Sequence, residues 1–211
     1  MELIQTIWPS LLNGFQTTLS IFLIVGIISI PLGFLIALIR IYAPKWIGAI
    51  IQVYIFIMRG TPLLLQLMFF FFGLPFIGIT MGRFDAAILA FIINYAAYYA
   101  EIFRGGIMAI PENQFESIEV LGIGKIRGFF RIIIPQVFRI VLPSVGNEII
   151  SLVKDTSLVY ILGIGELLRA GQSAANTYAS LLPFVGVGLL YLGVTGIITI
   201  GLNYVEKRTT F

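Results

Sequence analysis

Long uncharged apolar runs, separated by short polar breaks, set the pattern of this chain. Roughly 20 apolar residues suffice for a helix to cross about 30 Å of hydrocarbon. Leu19 to Ile39 carries no charge and predicts one such span. Trp46 to Ile79 is apolar except for Gln52, Arg59 and Gln66, with Pro62 in its middle. It is too long for one simple crossing, so the pattern predicts a helical lead-in, a break near Gly60-Thr61-Pro62, and a second span ending near Leu74. Ala86 to about Phe103 predicts a third span, interrupted by Asn94 and Glu101. Val137 to Ile161, carrying Glu148, Lys154 and Asp155, predicts a fourth, and uncharged Leu181 to Leu202 a fifth. Gly186, Gly188, Gly193, Gly196 and Gly201 in the fifth predict close helix packing, because small residues let backbones approach in lipid.

Composition agrees with a lipid solvent. Hydrophobic residues make up 59% of the chain and charged residues 11%. Soluble domains average about 45–50% apolar and about 25% charged. The mean hydropathy is +1.03. The fold class expected is therefore all-α integral membrane, with 1–211 forming one transmembrane domain. With no cysteine and no histidine, disulfides, thiolate nucleophiles and the commonest base and metal ligands are excluded. A net charge of +3 is too small to argue for nucleic acid.

The distribution of the basic residues predicts the orientation. With the N-terminus outside, inner segments hold Arg40, Lys45, Arg104, Lys125, Arg127, Arg131, Arg139, Lys207 and Arg208, and outer segments hold only Arg83 and Arg169. Met1 is expected outside and Phe211 in the cytoplasm. Arg40 is the first basic residue, so the N-terminal run lacks the positive start of a cleavable signal.

The longest polar stretch, 105–136, then falls in the cytoplasm. Phe115, Ile118 and Leu121 recur there at helical spacing, followed by Gly122-Ile123-Gly124. Two short helices with a bend are expected, the first exposing an apolar ridge. Such a ridge suits a groove in a partner, or it packs on the chain's own helix ends.

Glu116-Ser117-Ile118, three residues, Gly122, nine residues and Ile132-Ile133-Ile134-Pro135 resemble the "EAA" loop of ABC importer permeases. Ser117 and Ile118 stand for the two alanines of that pattern, and Ile134 for its leucine. Gly14-Phe15-Gln16-Thr17-Thr18-Leu19, Arg59-Gly60-Thr61-Pro62, Ala100-Glu101-Ile102-Phe103-Arg104-Gly105 and Lys154-Asp155-Thr156-Ser157-Leu158 resemble the polar amino acid branch of the same family, in order. The resemblance implies a type I importer permease in the cell membrane, paired with a second copy or a similar permease. It implies two cytoplasmic ATPase subunits docked on the inner loop at Phe115, Glu116, Ile118, Leu121 and Gly122, and an extracytoplasmic solute-binding protein. ATP and Mg would belong to the ATPase partner, with no cofactor in this chain. The chain itself has no Gly-x-x-x-x-Gly-Lys-Ser/Thr loop.

Ionisable groups at membrane depth are expensive and default to function. Glu148, Ser151 and Asp155 share one face of span four, Asn94, Tyr98 and Glu101 one face of span three, and Arg59 and Gln66 one face of span two. These faces are expected to converge on a polar path. Arg59 or Lys154 could hold an amino acid carboxylate, and Glu148 or Asp155 an ammonium or a cationic side chain. The opposing reading makes Lys154–Asp155, Arg59–Glu101 or Glu101–Arg104 ion pairs that only fix packing. The functional alternative is an ion-gradient-driven secondary transporter or channel for small polar solutes, using Asp155 and Glu148. An intramembrane enzyme lacks a nucleophile–base pair.

Overall fold

The computed structural model describes residues 2–209, so Met1 and Phe211, the termini assigned to opposite sides, lie outside it. Every regular element among the described residues is helical. Helix α1 spans Glu2–Tyr42, α2 Lys45–Gly60 and α3 Leu63–Met68. A π turn at Phe69–Gly73 and a 3-10 turn at Leu74–Ile77 extend α3. Helix α4 spans Arg83–Met108, α5 Glu112–Val120 and α6 Lys125–Gly128. A π turn at Phe129–Ile133 joins α6 to α7, Ile134–Asp155, which ends in a 3-10 turn at Thr156–Leu162. Helices α8, Leu167–Tyr178, and α9, Leu182–Thr209, complete the chain.

Four segments among the described residues are long and apolar enough to cross a membrane: Thr6–Tyr42, Arg83–Met108, Lys125–Leu162 and Leu182–Arg208. The expected second span is a pair, Lys45–Gly60 and Leu63–Ile77, bent by 105°. Thr61 is extended and Pro62 lacks a backbone N–H, so the helix stops between the two halves. Span one is longer than Leu19–Ile39, because apolar residues continue at helical spacing to Ile7 and Leu11, both buried.

Helix α4 is the central element, and α1 lies along it. A Cβ added at Gly33 would come within 2.5 Å of the Tyr99 Cβ and 2.9 Å of the Ala96 carbonyl, so glycine permits this approach. Phe34 meets Phe103 edge to face at 5.2 Å. At one end of the bundle, Tyr42 packs on Phe129 at 5.7 Å. At the other, Ile7 and Leu11 join Leu167, Ala174 and Val187 in a separate core. The two ends of α1 therefore lie at opposite ends of the molecule.

Within 105–136, α4 runs on to Met108, where Gly106 sits against Val137 and Val141 of α7, α5 spans Glu112–Val120, and helix resumes at Lys125. Among the described residues, only Gly186 of the α9 glycines meets another part of this chain, Leu11 at 3.4 Å, while a Cβ at Gly188, Gly193, Gly196 or Gly201 would meet nothing within 4 Å; the close approaches to α9 come from Gly171 of α8, against Val187, and Gly146 of α7, against Leu202. Helix α8 was not expected at all, because its 12 residues are too short and polar to read as a span. Its N-cap is Glu166, 0% exposed, which accepts from the Leu168 and Arg169 amides at 2.7 Å each and from the Tyr191 hydroxyl at 3.2 Å. Burial pushes the Glu166 carboxyl above the usual carboxylate range, and those donors pull it back.

Candidate functional site

The break between α2 and α3 leaves carbonyls at the end of α2 without helical partners. Side-chain amides fill the gap. Gln66 Nε2 donates to the Met58 carbonyl at 3.0 Å and to Thr61 Oγ1 at 2.7 Å. Asn94 Nδ2 donates to the same Met58 carbonyl at 3.0 Å and to Gln66 Oε1 at 2.9 Å. The Thr61 hydroxyl donates to the Ile57 carbonyl at 2.8 Å. These bonds hold the bend against α4.

Beside the bend lies a cavity of about 580 Å³. Arg59, Gly60, Thr61, Pro62 and Leu63 form one wall. Asn94, Tyr95 and Tyr98 of α4 form a second, and Glu148, Ser151 and Asp155 of α7 a third. The Arg59 guanidinium stands over the Tyr98 ring, 5.2 Å from its centroid. Asp155 accepts a hydrogen bond from the Tyr95 hydroxyl at 2.7 Å. The cavity thus sets one cation against two carboxylate groups, and it can hold a small molecule of mixed charge.

Of the residues expected on the polar path, Arg59, Asn94, Tyr98, Glu148, Ser151 and Asp155 come together here. Gln66 does not: it is buried beneath the bend and spent on capping α2. Lys154 is exposed and lines no part of this cavity, so Arg59 is its cation. Among the described residues no ion pair joins Lys154 to Asp155 or Arg59 to Glu101. Glu101 pairs instead with Arg40 and with Arg104, whose Nε donates to Glu101 Oε1 at 3.0 Å.

In the 105–136 segment, α5 ends in a backbone cap. Gly122 has φ +66°, its amide donates to the Glu119 carbonyl, and the Ile123 amide donates to the Ile118 carbonyl, each at 3.0 Å. The expected apolar ridge is split. Ile118 is 6% exposed and packs on Gly128 of α6, so it fastens the two short helices together. Phe115 lines a groove with Leu38, Tyr42 and Phe129. Leu121 stands out at 71% exposure, next to exposed Val120, and Glu116 is exposed on the same helix.

Residues 29–211 match the family model of the binding-protein-dependent transport system inner membrane component. The chain belongs to this family. Among its curated relatives, the arginine transport system permease protein ArtQ of Bacillus subtilis (strain 168) is 37% identical over 202 residues, covering 95% of this chain and 92% of ArtQ. The glutamine transport system permease protein GlnP of Escherichia coli (strain K12) is 33% identical, covering 97% and 96%. A crystal structure described as an amino acid ABC transporter with histidines superposes with a TM-score of 0.89 at 32% identity, covering 97% of this chain and 96% of that one. An inward-facing MetNI methionine ABC transporter shares the fold, with a TM-score of 0.81 at 17% identity. Membership identifies a multi-pass membrane component of an importer-type permease and removes the ion-gradient alternative.

Tyr95 was missed by sequence reasoning. It sits one residue beyond Asn94, and a tyrosine in an apolar run reads as core. Its one signal is that Tyr95, Tyr98 and Tyr99 crowd the helix that carries Asn94.

Proposed function

We propose that the chain is the membrane-spanning subunit of an ATP-driven importer of polar amino acids, and that its substrate binds between Arg59 and the Glu148–Asp155 face. The observation that carries this reading is the charge of the cavity. A zwitterion needs one cation for its carboxylate and one anion for its ammonium. Glu148 and Asp155 supply two acidic groups, so a second positive group on the substrate is accommodated. That favours a cationic amino acid, and the name of ArtQ points the same way. Arg59 takes the carboxylate, with Asn94, Tyr98 and Ser151 as neighbouring polar groups.

The chain works in the cell membrane as one of two permeases, identical or similar. The 105–136 segment faces the cytoplasm and the start of α1 faces outward, as the basic residues favour. Two ATPase subunits hold ATP and Mg and meet Phe115, Glu116, Leu121 and Gly122, and an extracytoplasmic binding protein delivers the substrate. No catalysis and no cofactor is assigned to this chain.

The test uses the complex purified with its ATPase and reconstituted in lipid, with L-arginine as the probe. Glu148→Gln keeps shape and removes charge. Losing one charge-assisted hydrogen bond costs about 1.5–3 kcal/mol, so affinity falls roughly ten- to a hundredfold. Basal ATPase activity persists. Equal binding to both proteins overturns the assignment of Glu148, and an ATPase that no amino acid stimulates overturns the ATP-driven reading.

A further inference from the structure

A second cavity, of about 340 Å³, adjoins the first on its Arg40 side. Arg59 and Gly60 line both, so the two share a wall at the end of α2. Arg40, Gln52 and Glu101 supply the remaining polar lining, over Ile55 and Phe56. Resting on the substrate reading above, we propose that this second cavity is a release site that takes the carboxylate of the transported amino acid from Arg59 and passes it to Arg40.

Charge is the first reason. Glu101 Oε2 is engaged by Arg40 and Glu101 Oε1 by Arg104. One carboxylate therefore answers two guanidiniums, and Arg59 adds a third beside them. Positive charge is in excess, where the first cavity carries an excess of acid. Arg40 has five N–H donors, more than its contact with Glu101 consumes.

Position is the second. Arg40 lies two residues from the end of α1, at the end of the bundle that holds α5 and α6. The cavity thus lies between the first cavity and the face proposed as cytoplasmic. Charged groups at membrane depth face a bundle interior or a water-filled space rather than lipid. A carboxylate bound at Arg59 has its next cation at Arg40, while Glu101 repels it enough to keep the site weak. Weak successive sites let a solute leave, where one deep site would retain it.

Gln52 provides the test, because it lines only the second cavity and belongs neither to the ion triad nor to the bend. In proteoliposomes of the complex with its ATPase, Gln52→Glu places a competing carboxylate beside Arg40 and Arg59. Maximal L-arginine uptake should fall about tenfold, as expected of one partly solvated charge pair. L-arginine affinity should fall by less than the uptake rate, because the new charge reaches the first cavity only through the shared Arg59. Gln52→Lys, of similar length and opposite charge, should slow uptake less than Gln52→Glu, because it adds to the guanidiniums instead of competing for them. Normal uptake with Gln52→Glu, or equal slowing by Gln52→Lys, overturns the release site. If Glu148→Gln lowers affinity while Gln52→Glu is silent, only the release site falls; if Glu148→Gln is silent as well, the substrate reading falls with it.

Discussion

Toward the α5 end of α4, Glu101 has each oxygen taken by a different arginine, whereas on α7 Glu148 and Asp155 face Arg59 across open space. Both clusters set carboxylates against guanidiniums. They differ in how completely each carboxylate is answered. The Glu101 cluster uses its carboxylate to tie α1 to α4, and removing it would strand two cations. The cavity keeps acidic groups that the chain only partly answers, and a ligand can supply the remainder. A carboxylate answered on both oxygens ties helices together, and the charge left unanswered, acidic in the first cavity and basic in the second, is what a ligand can meet.

The largest expected effect comes from breaking the paired side of that contrast. Glu101→Gln leaves the part-buried Arg40 and Arg104 without their anion, at a cost of about 1.5–3 kcal/mol for each charge-assisted hydrogen bond lost. Thermal unfolding in detergent should show a large loss of stability, well beyond that of Glu148→Gln. Comparable losses for the two variants would erase the distinction.

The same contrast recurs in apolar form on α5, where Ile118 is packed and Leu121 is open. Leu121→Asp should therefore spare the fold. If Leu121 enters a groove on the ATPase, the buried charge costs several kcal/mol there. ATP-driven uptake should fall more than tenfold, with L-arginine affinity unchanged. Normal uptake would return Leu121 to ordinary exposed surface. The smallest effect belongs to Gln66→Leu, which removes a cap of α2 at a residue that does not itself line the cavity but bonds Thr61 and Asn94, which do. Stability should drop by about 1–3 kcal/mol, and L-arginine affinity should change less than threefold, a shift under about 0.7 kcal/mol. A larger loss of affinity would make the bend itself part of the binding site.

Helical spacing made much of this legible. Glu148, Ser151 and Asp155 fall on one face because 3.6 residues make a turn, and the structure keeps them together. Spacing names a face but not what lies opposite it. Gln66 shares a face with Arg59 in a continuous helix, yet the 105° bend turns it beneath the backbone. Ile118 shares the periodicity of Phe115 and Leu121, yet Gly128 opens a hollow that takes it in. Glu166 and α8 left no trace in hydropathy, because an amphipathic helix of 12 residues resembles a polar loop. Gly122 was legible as a turn, and its φ of +66° gives the reason.

The capped bend also limits where the molecule can flex. Two amides from different helices hold one carbonyl, that of Met58, and each such bond is worth about 1 kcal/mol net. Tyr54 adds a third strap, its hydroxyl donating to the Ile93 carbonyl at 2.6 Å. The end of α2, the start of α3 and the middle of α4 therefore travel as one rigid block, despite the sharp corner between them. Any relative movement of the surrounding helices must pivot outside this block.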